Sequence, residues 1–125
     1  MQILLIEDDV SVNKMITSIL KDEGNEVYTS FNGLEGLKLL RKEQDIDLVI
    51  TDIIMPEKEG IETIREIRKN YPFKKIIAIS GGGKIDAGSY LKLAQSLGAN
   101  YIMEKPFSRK EILEILQKVE KSLSD

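Results

Sequence analysis

Five short, mostly β-branched or aliphatic runs alternate with amphipathic segments along this chain, and that alternation constrains its fold more than any other feature. The runs fall near residues 3–6, 27–30, 48–51, 76–79 and 101–103. Strands separated by helices predict a parallel sheet with right-handed crossovers and helices on both faces. Ligand chemistry in such a fold is expected beyond the carboxyl ends of the strands, near the point where strand order reverses.

The segments between the runs carry helical signals. Val12, Met15, Ile16, Ile19 and Leu20 recur at helical spacing, and Gly24 follows where a left-handed residue closes a helix. Leu34, Leu37 and Leu40 predict a second helix after Asn32-Gly33, and Ile61, Ile64, Ile67 and Tyr71 a third that stops before Pro72. Both stripes are expected to be ordinary core. Tyr90, Leu91, Ala94 and Leu97 predict a shorter fourth helix ending at Gly98. Ser108 and Glu111 form a capping box ahead of a fifth, marked by Ile112, Ile115, Leu116, Val119 and Leu123.

At 125 residues and 42% hydrophobic, the chain has the size of one domain with a sizeable core. It has no Cys and no His, which removes disulfides, thiolate and imidazole metal ligands, Ser-His-Asp catalysis and a phosphohistidine of its own. Carboxylate, hydroxyl and amine chemistry is what remains. A net charge of −3 has the wrong sign for neutralising nucleic-acid phosphates, so a protein partner is expected. The chain shows no basic start followed by an apolar segment, and no apolar run approaches the ~20 residues of a membrane span. The expectation is a soluble, cytoplasmic protein.

The chemically suggestive residues gather on one predicted rim. Glu7, Asp8 and Asp9 follow the first strand, Asp52 the third, Ser80 the fourth and Lys105 the fifth. Any one of them alone would read as a solvated loop residue. Together they bring carboxylates to one sheet edge, where like charges repel unless a cation or shared proton holds them, as in a magnesium-dependent phosphoryl site.

These residues resemble the receiver domain of bacterial two-component response regulators. The resemblance rests on the apolar run into Glu7-Asp8, on Asp52-Ile53-Ile54-Met55-Pro56 with Gly60 after it, on Ser80, and on Leu97-Gly98-Ala99 leading to Lys105-Pro106-Phe107. It spans essentially the whole chain, residues 1–125, as one receiver domain with the flavodoxin-like five-stranded order 2-1-3-4-5. The resemblance implies that Asp52 accepts a phosphoryl group from a phosphohistidine on a sensor histidine kinase or histidine phosphotransfer protein. It also implies Mg²⁺ held by Asp8, Asp52 and the backbone carbonyl of Ile54, with Glu7 acting through a bound water. Lys105, aimed inward by a cis bond to Pro106, and the Ser80 hydroxyl would contact the phosphoryl oxygens. Asp9 is left to favour the first helix through its dipole. Such a domain is no enzyme beyond its own phosphorylation and slow dephosphorylation, and it signals to a protein partner through the face of helix 4, strand 5 and helix 5.

Two departures from the family pattern stand out. Ile102 occupies the position where the family often has a switching aromatic, and Tyr101, one residue earlier, should face the other way. Gly81-Gly82-Gly83 after Ser80 lacks the Gly-Lys-Ser/Thr of a nucleotide loop and predicts mobility instead. Two rivals fit less well. An Asp-nucleophile phosphohydrolase needs a second Asp where Ile54 stands, and a flavodoxin-like cofactor module needs a phosphate loop where three acids stand. The tail, residues 122–125, carries no linker signal, so a stand-alone regulator is expected.

Overall fold

The computed structural model describes residues 1–53, 59–81 and 87–124. Strands and helices alternate as β1 (Gln2–Ile6), α1 (Val10–Asp22), β2 (Glu26–Ser30), α2 (Gly33–Lys42), β3 (Leu48–Asp52), α3 (Glu59–Asn70), β4 (Lys75–Gly81), α4 (Ala87–Leu97), β5 (Tyr101–Lys105) and α5 (Arg109–Ser124). The sheet has five parallel strands in the order β2-β1-β3-β4-β5, so the reversal of strand order falls between β1 and β3.

Period-two alternation sorts each strand onto two cores. Leu4, Ile6, Val49, Ile76 and Ala78 join Leu40, Ile64, Ile67 and Ala94 on the face covered by α2, α3 and α4. Ile3, Leu5, Leu48, Ile50, Ile77 and Ile79 join Ile16, Leu20, Ile112, Leu116 and Val119 on the face covered by α1 and α5. Both faces are buried, which is why the strands read as continuous apolar runs. Each fully buried Ile or Leu contributes on the order of 1.5–3 kcal/mol.

The helix ends follow local chemistry. Gly24 at φ +85° takes the left-handed position after α1, where an L side chain would be strained, and its N–H donates to the Lys21 carbonyl at 2.9 Å. The Ser108 hydroxyl accepts from Glu111 N–H at 3.1 Å, completing the expected capping box. Asp9 does more than favour a dipole: it is the N-cap of α1, accepting from Val12 N–H at 3.0 Å.

Other expectations need correction. Leu34 is 60% exposed rather than core, because the buried stripe of α2 runs through Gly33, Gly36 and Leu40, and Leu34 lies about 100° around the helix from Gly33. The strands also run further than their apolar residues. β3 includes Asp52, β4 continues through Ser80 to Gly81, and β5 continues to Lys105, with Ser80 paired to Glu104 and Gly81 to Lys105. Backbone pairing holds these polar residues in the sheet, and hydrophobic patterning cannot report it.

Candidate functional site

Glu7 leaves the sheet immediately after β1, with its N–H donating to the Ser30 carbonyl at 3.1 Å. It is 0% exposed, and Asp52 at the end of β3 is 4% exposed, while Asp8 faces solvent. One carboxylate oxygen from each of Glu7, Asp8 and Asp52 lies within 4.8 Å of the others. The reversal of strand order between β1 and β3 is what brings these acids together.

Lys105 reaches this group from the end of β5. Its Nζ lies 2.9 Å from Asp52 Oδ2 and 2.6 Å from Glu7 Oε1. The Lys105–Pro106 peptide bond is cis, as expected from the resemblance. The shorter of the two pairings, with Glu7, is one that the sequence did not suggest. One ammonium cannot neutralise two buried carboxylates. Burial raises the Glu7 pKa from 4.5 to about 8, the nearby Asp52 carboxylate adds to the rise, and Lys105 opposes it. Burial alone would depress the Lys105 ammonium, but the bonds and charges of Asp52 and Glu7 outweigh it and raise its pKa.

Ser80 is 0% exposed, and its Oγ has no hydrogen-bond partner among the described residues. Neither a cap nor a loop hydrogen bond among them accounts for it. Ile102 packs on the α2–α4 face and Tyr101 on the α1–α5 face, so the tyrosine does not stand in for the absent aromatic. Ile54, Met55 and Pro56, and Gly82 and Gly83 of the glycine run, lie outside the described residues.

Three oxygen donors of high charge density suit a hard divalent cation, and exposed Asp8 leaves one side of the cluster open to water ligands. The donor set therefore fits Mg²⁺. Gly60 matters to the same site: a Cβ there would collide with the Asp52 carbonyl oxygen and lie 2.5 Å from Ile53 Cα, so α3 begins directly against the backbone of the Asp52 segment.

Asn13 was not singled out from the sequence. It is 3% exposed, and its Nδ2 donates to the Glu7 carbonyl at 3.1 Å and the Ser30 carbonyl at 3.2 Å. The available signal was a polar residue in line with Ile16 and Leu20 on the buried stripe of α1.

Residues 3–117 match the family described as response regulator receiver domain. The transcriptional regulatory protein CpxR homolog of Haemophilus influenzae is 35% identical over 112 residues, covering 90% of this chain and 47% of that protein. The transcriptional regulatory protein GlnL of Bacillus subtilis is 35% identical over 127 residues, covering 98% of this chain and 38% of that protein. The chain thus spans less than half the length of these two regulators. A solved response regulator receiver domain protein from Clostridium thermocellum superposes with a TM-score of 0.87 at 31% identity, covering 99% of this chain and 98% of that one. With the family match running almost end to end and the sheet order and rim chemistry in agreement with it, the chain belongs to the response regulator receiver domains of two-component signalling.

Proposed function

We propose that residues 1–125 form one receiver domain in which Asp52 is the phosphoacceptor. The observation that carries the reading is Asp52 Oδ2 held 2.9 Å from Lys105 Nζ inside a three-carboxylate cluster. An Asp52 oxygen attacks phosphorus of a partner's phosphohistidine, the P–N bond breaks, and the imidazole leaves with its electron pair and takes a proton from solvent. The products are an acyl phosphate on Asp52 and a neutral histidine.

Lys105 holds the acceptor carboxylate before transfer and pairs with a phosphoryl oxygen afterwards, a charge-assisted contact made stronger by partial burial. Ser80 Oγ, unpartnered among the described residues, donates to another phosphoryl oxygen once that acceptor arrives. Asp8 and Asp52, with the Ile54 carbonyl, would hold Mg²⁺, and Glu7 would act on it through a bound water. When bound, that ion supplies charge neutralisation between donor and acceptor oxygens.

As a signalling protein the domain catalyses only its own phosphorylation and slow dephosphorylation. The phosphodonor is a sensor histidine kinase or histidine phosphotransfer protein, and the output is a protein docked on the face of α4, β5 and α5. Among the described residues no helix is long and apolar enough to cross a membrane, and the net charge of −3 argues against direct nucleic-acid binding. We assign the domain to the cytoplasm.

Incubation with Mg²⁺ and acetyl phosphate followed by intact-mass measurement tests the reading. One phosphoryl group should be added to the wild type and none to Asp52→Asn. Equal addition to both would exclude Asp52, and steady turnover of a general phosphate ester would favour the phosphohydrolase instead.

A further inference from the structure

Asp8 is the most exposed of the three clustered acids, and the backbone before it has an unusual buried support. The Glu7 carbonyl belongs to the peptide unit that also carries the Asp8 N–H. That unit is rigid and planar, so a bond to the carbonyl limits its rotation and with it the direction in which the Asp8 side chain leaves the chain. Asn13 Nδ2 provides the bond, at 3.1 Å.

The rest of the Asn13 environment favours this role. Its second amide proton goes to Ser30 O at 3.2 Å, and its Oδ1 accepts from Thr17 Oγ1 at 3.4 Å. Two carbonyl acceptors on one side require the nitrogen there, so the carboxamide orientation is determined by its partners. Ser30 O also accepts from Glu7 N–H at 3.1 Å, so the link between β1 and β2 does not depend on Asn13 alone. The Glu7 carbonyl is the group for which Asn13 matters more.

We infer that Asn13 is a positioning residue that holds the Glu7–Asp8 peptide plane and thereby sets the aim of the Asp8 carboxylate toward a divalent cation. The inference rests on the proposed function, which makes Asp8 a ligand. Groups that orient metal ligands typically change affinity 10–100-fold when removed, and Asn13 acts through the backbone, so the lower end applies. A bound cation can itself draw the Asp8 carboxylate into place. The defect should therefore appear in affinity and disappear at saturation.

The test is to titrate Mg²⁺ alone into wild type, Asp8→Ala and Asn13→Leu, following amide shifts. Leucine keeps the number and branching of the side-chain heavy atoms and favours the helix more than asparagine, while removing both donors. Asn13→Leu should weaken Mg²⁺ binding about 10-fold. With acetyl phosphate its half-saturating Mg²⁺ concentration should rise by the same factor, while the rate at saturation stays within about two-fold of wild type. In the wild type the Asn13 carboxamide protons should exchange slowly and shift on Mg²⁺ addition, a measurement that needs no variant to fold.

The failures separate. A wild type that binds no Mg²⁺ overturns the proposed function and this inference with it. Loss of binding in Asp8→Ala but unchanged affinity in Asn13→Leu overturns the inference alone, and so does a variant whose stability falls while its Mg²⁺ affinity is unaltered. Wild-type carboxamide protons that exchange freely also overturn it.

Discussion

Replacing Ser80 by alanine should make the resting protein more stable. The Ser80 hydroxyl is 0% exposed and unpartnered among the described residues, so folding strips it of water without replacing the bond. An unpaired buried polar group costs about 1–3 kcal/mol. Deleting the oxygen leaves a gap smaller than a methyl group, at a cost of up to about 1 kcal/mol. The difference predicts a gain on the order of 0.5–2 kcal/mol for Ser80→Ala, a rise of a few degrees in midpoint for a chain of this size. Urea titration followed by far-ultraviolet circular dichroism in EDTA measures it, provided the slope with denaturant is unchanged. The order should invert with a phosphoryl analogue bound. Wild type then gains a hydrogen bond to a charged group, worth about 1.5–3 kcal/mol, that the variant cannot make. Beryllium fluoride with Mg²⁺ should therefore stabilise wild type more than Ser80→Ala. If Ser80→Ala instead loses more than about 1 kcal/mol at rest, the hydroxyl has a partner and the reasoning fails.

In the metal-free protein, Glu7 makes stability fall as pH rises. Its pKa is about 8 when folded against 4.5 ordinarily, so the folded chain keeps a proton that the unfolded chain has released. The contribution is complete below about 4.5 and lost by passage through about 8, and urea midpoints in EDTA should decline over that window relative to Glu7→Gln. A wild type that instead gains on the variant as pH rises contradicts the assignment. Gly60→Ala, which in an ordinary helix would stabilise by up to about 1 kcal/mol, should destabilise by about 1–3 kcal/mol, because its Cβ meets the immovable backbone of Asp52 and Ile53. The same variant should slow phosphorylation by acetyl phosphate; a stabilised variant with wild-type kinetics would show that α3 can retreat freely.

What was legible in the sequence is what short-range periodicity encodes. The continuous apolar run from Ile3 to Ile6 suits a strand covered on both faces, and the spacing from Ile16 to Leu20 predicts a helix, because each pattern is complete within a few residues of chain. The Ser108–Glu111 cap and the left-handed Gly24 are equally local. Strict alternation of elements was also enough to bring Glu7, Asp8, Asp52, Ser80 and Lys105 to one rim, since every parallel strand ends on the same side. Pairing between distant segments was not legible. Glu7 and Lys105 stand 98 residues apart, and nothing near either one specifies that the acid would be wholly buried beneath the amine. The exposure of Leu34 depends on which stripe of α2 meets the sheet, here Gly33, Gly36 and Leu40, and packing rather than the leucine spacing makes that choice. Asn13 carries no local sign of its partners, because only the chain turn after β1 presents it with the carbonyls of Glu7 and Ser30. Local sequence determined which residues could form strands, helices and caps; the packing of β1 between β2 and β3 decided which polar groups lost water and therefore had to find one another.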